Sequence, residues 1–157
     1  MTQITTTVLT INGGSSGIKF ALYDTGDSMK LLFSGELELG GKKAKLNFTD
    51  ALTLQKVITD IEDADQDDAA NFLINQIEKQ DYFNTINVIG HRIVHGMKHT
   101  VPQLITTELL NDLKSITAYD PEHLPGEIKL IEAFSKRLPA IPQVACFDTA
   151  FHAGMPA

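Results

Sequence analysis

TTVLTINGGSSGIKFALY, Thr6 to Tyr23, is the stretch from which the rest of the chain is read. Thr6 to Asn12 (TTVLTIN) and Ile18 to Tyr23 (IKFALY) are short runs rich in β-branched or aromatic residues. The segment between them, Gly13 to Gly17 (GGSSG), consists of turn formers, so the stretch predicts two antiparallel strands joined by a hairpin turn. Leu31 to Leu39 (LLFSGELEL) and Ala44 to Phe48 alternate well enough to extend the same sheet, which predicts three or four meandering strands at the start of the fold.

The texture then changes. Leu54, Val57, Ile58 and Ile61 recur at helical spacing, as do Ala69, Phe72, Leu73 and Ile77, and predict two helices. The acidic stretch Glu62 to Asp68 between them is expected to be a solvated turn and N-cap rather than a metal site. Ile86 to Ile89 predicts a short strand closed by Gly90. After an irregular stretch, Leu109, Leu110, Leu113 and Ile116 mark a helix with Thr106 or Thr107 as its cap. A further helix carries Ile128, Ile131, Phe134 and Leu138 and is ended by Pro139 and Pro142. Gln143 to Phe147 is the last strand, with Cys146 expected inside it as a small buried thiol.

This order predicts an α/β fold, a mixed sheet flanked by helices, in which an antiparallel start is continued by parallel crossover strands. Sites in such sheets gather at the carboxyl ends of strands. The residues after the first, middle and last strands are polar: Asn12 with GGSSG, His91 with Arg92, and Asp148 with Thr149.

Composition narrows the classes. At 157 residues and 43% apolar content, one domain burying about two thirds of its extended surface is expected. Lys and Arg number 13 against 20 Asp and Glu, a net charge of −7, which disfavours a partner bound through many phosphates and so argues against nucleic acid. Cys146 is the single cysteine, which allows no internal disulfide and matches a reducing, cytoplasmic setting. No apolar run approaches the roughly 20 residues that span a bilayer, and Met1 to Thr7 lacks the parts of a signal peptide, so neither membrane nor export is expected.

Three segments carry candidate chemistry. In INGGSSGIKF, Ile11 to Phe20, glycines let successive N–H groups converge on an anion, Ser15 and Ser16 add hydroxyl donors and Lys19 a point charge. The turn fits neither G-x-G-x-x-G nor the Walker pattern, and on composition a plain hairpin loop stays open. In GHRIVHG, Gly90 to Gly96, Arg92 can hold a carboxylate or phosphoryl group through its planar fork. His91, His95 and His99 do not make a zinc site: in an extended segment residues four apart lie roughly 13 Å from one another, and the zinc-protease Glu is missing. His95 and His99 read as polar loop residues or as supports for a site. In VACFDTAFH, Val144 to His152, the Asp148 carboxylate orients a nucleophile, balances the charges of a phosphoryl group and its metal, or caps the next turn.

Together INGGSSGIKF, GHRIVHG and PQVACFDTAFHAGMP resemble the three N-terminal signatures of the acetokinase family, in order and approximate spacing, over essentially the whole chain. The resemblance implies a ribonuclease-H-like core of the acetate and sugar kinase, Hsp70 and actin superfamily. It implies reversible transfer of the ATP γ-phosphoryl group to acetate, giving acetyl phosphate and ADP with Mg²⁺ as cofactor, by an enzyme that is a homodimer at full length. Matching positions associate Asn12 with Mg²⁺ and phosphate, Lys19, Ser15 and Ser16 with the nucleotide and its phosphates, and Arg92 with substrate. By the same match Val94 lines the acetate pocket, His123 is an active-site histidine and Asp148 is the catalytic acidic residue. Acetate has no proton to lose, so Asp148 is expected to orient Arg92 or the metal's ligands rather than act as a base.

Two departures from the family pattern bear on this. Gly17 stands where a third serine is usual, and Asp120 to Pro125 reads DPEHLP where the family has A-P-L-H-N-P, which puts Glu122 in place of an apolar residue near the acetate pocket and Leu124 in place of Asn, and leaves acetate, propionate or a related small acid open as acceptor. The resemblance further implies that residues 1 to 157 are an N-terminal domain lacking the second, nucleotide-binding domain, and that this chain does not turn over ATP unaided. The alternatives are a propionate kinase and a non-catalytic module that binds an acyl phosphate.

Overall fold

Strict alternation builds the first strands. In the computed structural model, which describes residues 6–13, 17–26, 29–40, 43–51, 53–62, 66–80, 83–93 and 101–147, β1 (Thr7–Gly13) buries every second residue and β2 (Gly17–Asp24) continues the pattern with Ile18, Phe20 and Leu22. The two pair antiparallel, with Ile11 opposite Phe20 and Asn12 opposite Lys19. β3 (Lys30–Gly40), β4 (Lys43–Asp50) and β5 (Lys56–Glu62) extend the antiparallel meander. On the other side of β1 lie β6 (Ile86–Ile93) and β8 (Gln143–Phe147), both parallel, and the two-residue β7 (Gln103–Leu104) closes the edge. The sheet order is β5-β4-β3-β2-β1-β6-β8-β7, the mixed α/β arrangement expected from the element order.

One face of this sheet is apolar and covered. Leu9, Ile11, Phe20, Leu22, Phe33 and Leu37 form it at the antiparallel side, where α1 (Gln66–Glu78) lays down Ala69, Ala70, Leu73, Ile74 and Ile77. Phe20, Phe33 and Phe48 cluster here with ring centroids 5.1–6.2 Å apart, each ring supplying roughly 1.5–3 kcal/mol if removed entirely from water. Gly35 sits beneath Phe20: a Cβ there would lie 2.5 Å from Phe20 Cζ and against the Asn47 carbonyl, so only hydrogen fits. At the parallel side Ile93, Ala145 and Phe147 meet α2 (Thr107–Ser115) and α3 (Leu124–Arg137). The last helix joins both clusters, because Leu130 and Phe134 face the first while Leu124, Ile128 and Ile131 face the second. Arg137 ties it to α1 through Asn75 at 2.6 Å and Glu78 at 2.9 Å. Thr106 caps α2 by accepting from the Leu109 N–H at 3.1 Å, as expected.

Several expectations are corrected. The helix predicted over Leu54 to Ile61 is a turn followed by β5: Leu54 adopts φ 61°, which no right-handed helix accepts, and the β-branched Val57, Ile58 and Thr59 pair with β4. The opening meander therefore has five strands rather than three or four. The strand predicted to close at Gly90 runs on to Ile93, so His91 and Arg92 lie within it. The irregular stretch before α2 holds β7. Cys146 is exposed rather than buried, because alternation in β8 buries Gln143, Ala145 and Phe147 and turns Cys146 to the other face. Residues 63–65 of the acidic connection lie outside the described residues. No helix among the described residues is long and apolar enough to cross a membrane.

Candidate functional site

Parallel pairing of β1, β6 and β8 brings their carboxyl ends to one edge of the sheet, and the two faces of that edge carry different chemistry. On the covered face Ile11 pairs with His91, and His91 with Ala145. One residue on, Asn12 and Arg92 turn to the face that the helices leave open, where Asn12 is half-buried and Arg92 exposed. Lys19 is directly opposite Asn12, and Cys146 directly opposite Arg92. Adjacent strands lie about 4.8 Å apart, so Lys19, Asn12, Arg92 and Cys146 form a continuous row across β2, β1, β6 and β8. The row contains two cations, an amide and a thiol whose pKa partial desolvation by its neighbours pushes above its ordinary 9.0.

His91 does not join the row. It is buried on the covered face, where its Nε2–H donates to Gln143 Oε1 and its ring meets Phe134 edge-on at 5.8 Å. The Gln143 amide N–H in turn donates to Ser135 Oγ at 2.8 Å and to the Ile131 carbonyl at 3.2 Å. Burial pushes the His91 imidazole from 6.5 down to about 4, with the Gln143 hydrogen bond opposing the shift. His91 is a neutral strut linking β6, β8 and α3. The alternation that buries Ile89 and Ile93 was the signal that placed it there.

Beside the end of β1, on the helix side, is a cavity of about 220 Å³. Gly13, Ile18 and Leu39 contribute from the sheet, Ala69 and Ala70 from α1, and the segment leading into α3 brings Glu122 and His123. His123 thus opens onto a cavity shared with the residue that follows Asn12. Its Nδ1 lies 3.0 Å from Oδ1 of the buried Asp120. That hydrogen bond, followed by the charges of Asp120, Glu127 and Glu122, outweighs desolvation and raises the His123 pKa above 6.5. Asp120, which the sequence did not single out as a site residue, is the partner that holds the His123 ring; the signal available was an acidic side chain three residues before a histidine in a turn.

Of the residues singled out from sequence, the fold brings Asn12, Lys19 and Arg92 into one row and sets His123 on the cavity at the β1 end. Ser15, Ser16, Val94, His95, His99, Asp148, Thr149 and His152 lie outside the described residues. Among the described residues no group of three or more His, Cys, Asp or Glu sits together as a metal site. The half-buried Asn12 does offer a hard amide oxygen at a strand end, a donor type that suits Mg²⁺ when phosphate oxygens and water complete its shell.

Comparison with known proteins gives the family and the fold. Residues 7–157 match the model of the Acetokinase family. The acetate kinase of Bacillus cytotoxicus is 38% identical over 154 residues, and that of Staphylococcus saprophyticus 36% over 153; each alignment covers 95% of this chain and 38% of the relative. Among solved structures, a propionate kinase from Francisella tularensis superposes with a TM-score of 0.84 at 33% identity, and the Porphyromonas gingivalis acetate kinase with 0.80 at 31%. Each superposition covers 96% of this chain and 39% of the other. The chain therefore spans about two fifths of the length of the curated relatives it matches.

Proposed function

The chain belongs to the acetokinase family, and from that premise we propose that it is the N-terminal, acceptor-side domain of a small-carboxylate kinase that moves the ATP γ-phosphoryl group reversibly onto acetate or propionate. The observation that carries the reading is the row in which Lys19, Asn12 and Arg92 follow one another across three adjacent strands at their site-forming end.

The difficulty of the reaction is electrostatic. A carboxylate must approach a phosphoryl group in line with the leaving oxygen, and both are anionic, so positioning and positive charge supply the rate. Arg92 neutralises the carboxylate and sets its angle through paired N–H donors, while Lys19 offers a point charge to phosphate oxygens. Asp148 orients Arg92 or the metal's ligands. Mg²⁺ bound with nucleotide would supply charge neutralisation at the phosphates, and Asn12 is the residue that would hold it. His123 completes the set from the cavity side. One neighbour is a propionate kinase and Glu122 lines the cavity, so both acceptors belong to the proposal.

The test is ATP-dependent acyl-hydroxamate formation by the protein translated from its complete reading frame, with acetate and with propionate. Activity is expected with at least one of them. Arg92→Ala is expected to lower kcat/KM for the carboxylate roughly 10- to 100-fold, the span of a lost charge-assisted hydrogen bond, with Arg92→Lys in between. Absence of hydroxamate with every small carboxylate overturns the reading.

A further inference from the structure

His123 begins α3 as its N-cap residue, yet its side chain makes no capping bond. The ring is engaged elsewhere: Nδ1 is 3.0 Å from Asp120 Oδ1, and the same oxygen accepts from the His123 backbone N–H at 3.3 Å. An ionised carboxylate only accepts, so the ring proton sits on Nδ1 and Nε2 is the polar atom left for other partners. The two side chains differ in setting, 7% exposed for Asp120 and 35% for His123. Asp120 Oδ2 is buried and has no hydrogen-bond partner among the described residues. A carboxylate so placed is costly to keep charged unless a cation stays beside it.

We propose that Asp120 is a positioning residue for His123: it clamps the ring by Nδ1, turns Nε2–H to the cavity beside the β1 end, and holds the ring as an imidazolium that receives an anionic oxygen there. The proposal rests on reading this cavity as part of a phosphoryl-transfer site. The other charges around the ring act in known directions. Glu122 beside it and Glu127 in the first turn of α3 add negative charge, and Lys129 of α3 brings a positive one to the lining of the same cavity. Gly13, Ile18, Leu39, Ala69 and Ala70, the cavity residues contributed by the sheet and α1, bring no titratable side chain. Asp120 is the one carboxylate among these that touches the ring, and its effect is the largest of those that raise the His123 pKa.

Histidine NMR on the 157-residue chain, combined with sulfate titration, tests this. Sulfate is chosen because its charge is constant between pH 5.5 and 7.5. In the wild type the His123 ring is expected to titrate above 6.5 with Nδ1 protonated throughout. Asp120→Asn is expected to lower that midpoint and to weaken sulfate several-fold at pH 7.5 but not at pH 5.5, where the ring is charged in both proteins; Asp120→Glu is expected to restore part of both effects. A wild-type midpoint at or below 6.5 overturns the proposal without recourse to any variant. So does an Asp120→Asn protein whose midpoint is unchanged, or whose sulfate affinity follows the wild type at both pH values. Failure of the kinase reading shows instead as absent hydroxamate formation, which leaves the Asp120 dependence of sulfate binding intact.

Discussion

Lowering the pH from 7.5 to 5 is expected to destabilise this fold through His91. Its imidazole is buried and titrates near 4, against 6.5 for an unperturbed ring. The unfolded chain therefore binds a proton between those values that the folded chain refuses. The stability tied to the neutral ring is complete above pH 6.5, falls as the pH drops towards 4, and levels off below that. At pH 5 the unfolded ring is 1.5 units below its pKa, and at 1.36 kcal/mol per unit the loss is about 2 kcal/mol. His123 works in the opposite sense, since its raised pKa favours folding below 6.5 and loses that contribution as the pH climbs through the folded value. The clean measurement is thus a difference, urea unfolding followed by circular dichroism for the wild type and for His91→Gln, which keeps a donor for Gln143 Oε1 and cannot titrate. His91→Gln is expected to be the less stable at pH 7.5 because it loses the ring packed on Phe134. The gap should shrink by about 2 kcal/mol at pH 5, roughly 1 M in urea midpoint. Parallel pH dependences for the two proteins would refute the reasoning.

Three further outcomes are expected. Gly35→Ala forces a methyl against the Asn47 carbonyl and the Phe20 ring; thermal melting should show a loss of about 2–3 kcal/mol, equivalent to a Tm lower by about 5–10 °C, and an unchanged Tm would show that β3 shifts freely. Cys146 is exposed with its pKa raised, so it should react with a disulfide reagent in the native protein, slowly at pH 7 and faster towards pH 9; no reaction without denaturant would contradict its placement. Glu122→Leu removes a carboxylate from the cavity lining and is expected to lower the KM for acetate, whereas an unchanged KM would separate the cavity from the acceptor site.

Legibility from sequence followed the strength of the alternation. β1, β2 and β8 emerged within about a residue because each buries every second side chain against helices, which leaves one register possible. β5 was misread as a helix for the opposite reason: Val57 and Ile58 are adjacent and both more than half exposed on an edge strand, so no core imposed a period, and the spacing to Leu54 and Ile61 imitated a helix. In β6 the pair His91 and Arg92 reads in sequence as polar residues beyond a strand, although a buried polar residue followed by an exposed one is what alternation gives when a histidine satisfies itself inside. The same parity, overlooked, hid the exposure of Cys146. For the site, Arg92, Asn12 and Lys19 were legible as residue types near strand ends, but that they form one row depends on inter-strand register. Asp120 was illegible because its role depends on a turn that folds its carboxylate back beneath His123.

The division of the sheet into a covered face and an open one also shapes how this protein can change over time. Leu9, Ile11 and His91 lie on the covered side, and Asn12 and Arg92 between and beyond them on the other. Point substitutions at the open positions can therefore explore new ligands while the core is inherited unaltered. Insertions and deletions have no such freedom. Loss of one residue inside β1 would exchange the two sets at a stroke, sending Leu9 into water and Thr10 into the core. Lineages descending from such a sequence should consequently vary in length at the connections between strands, and in these four strands by substitution alone.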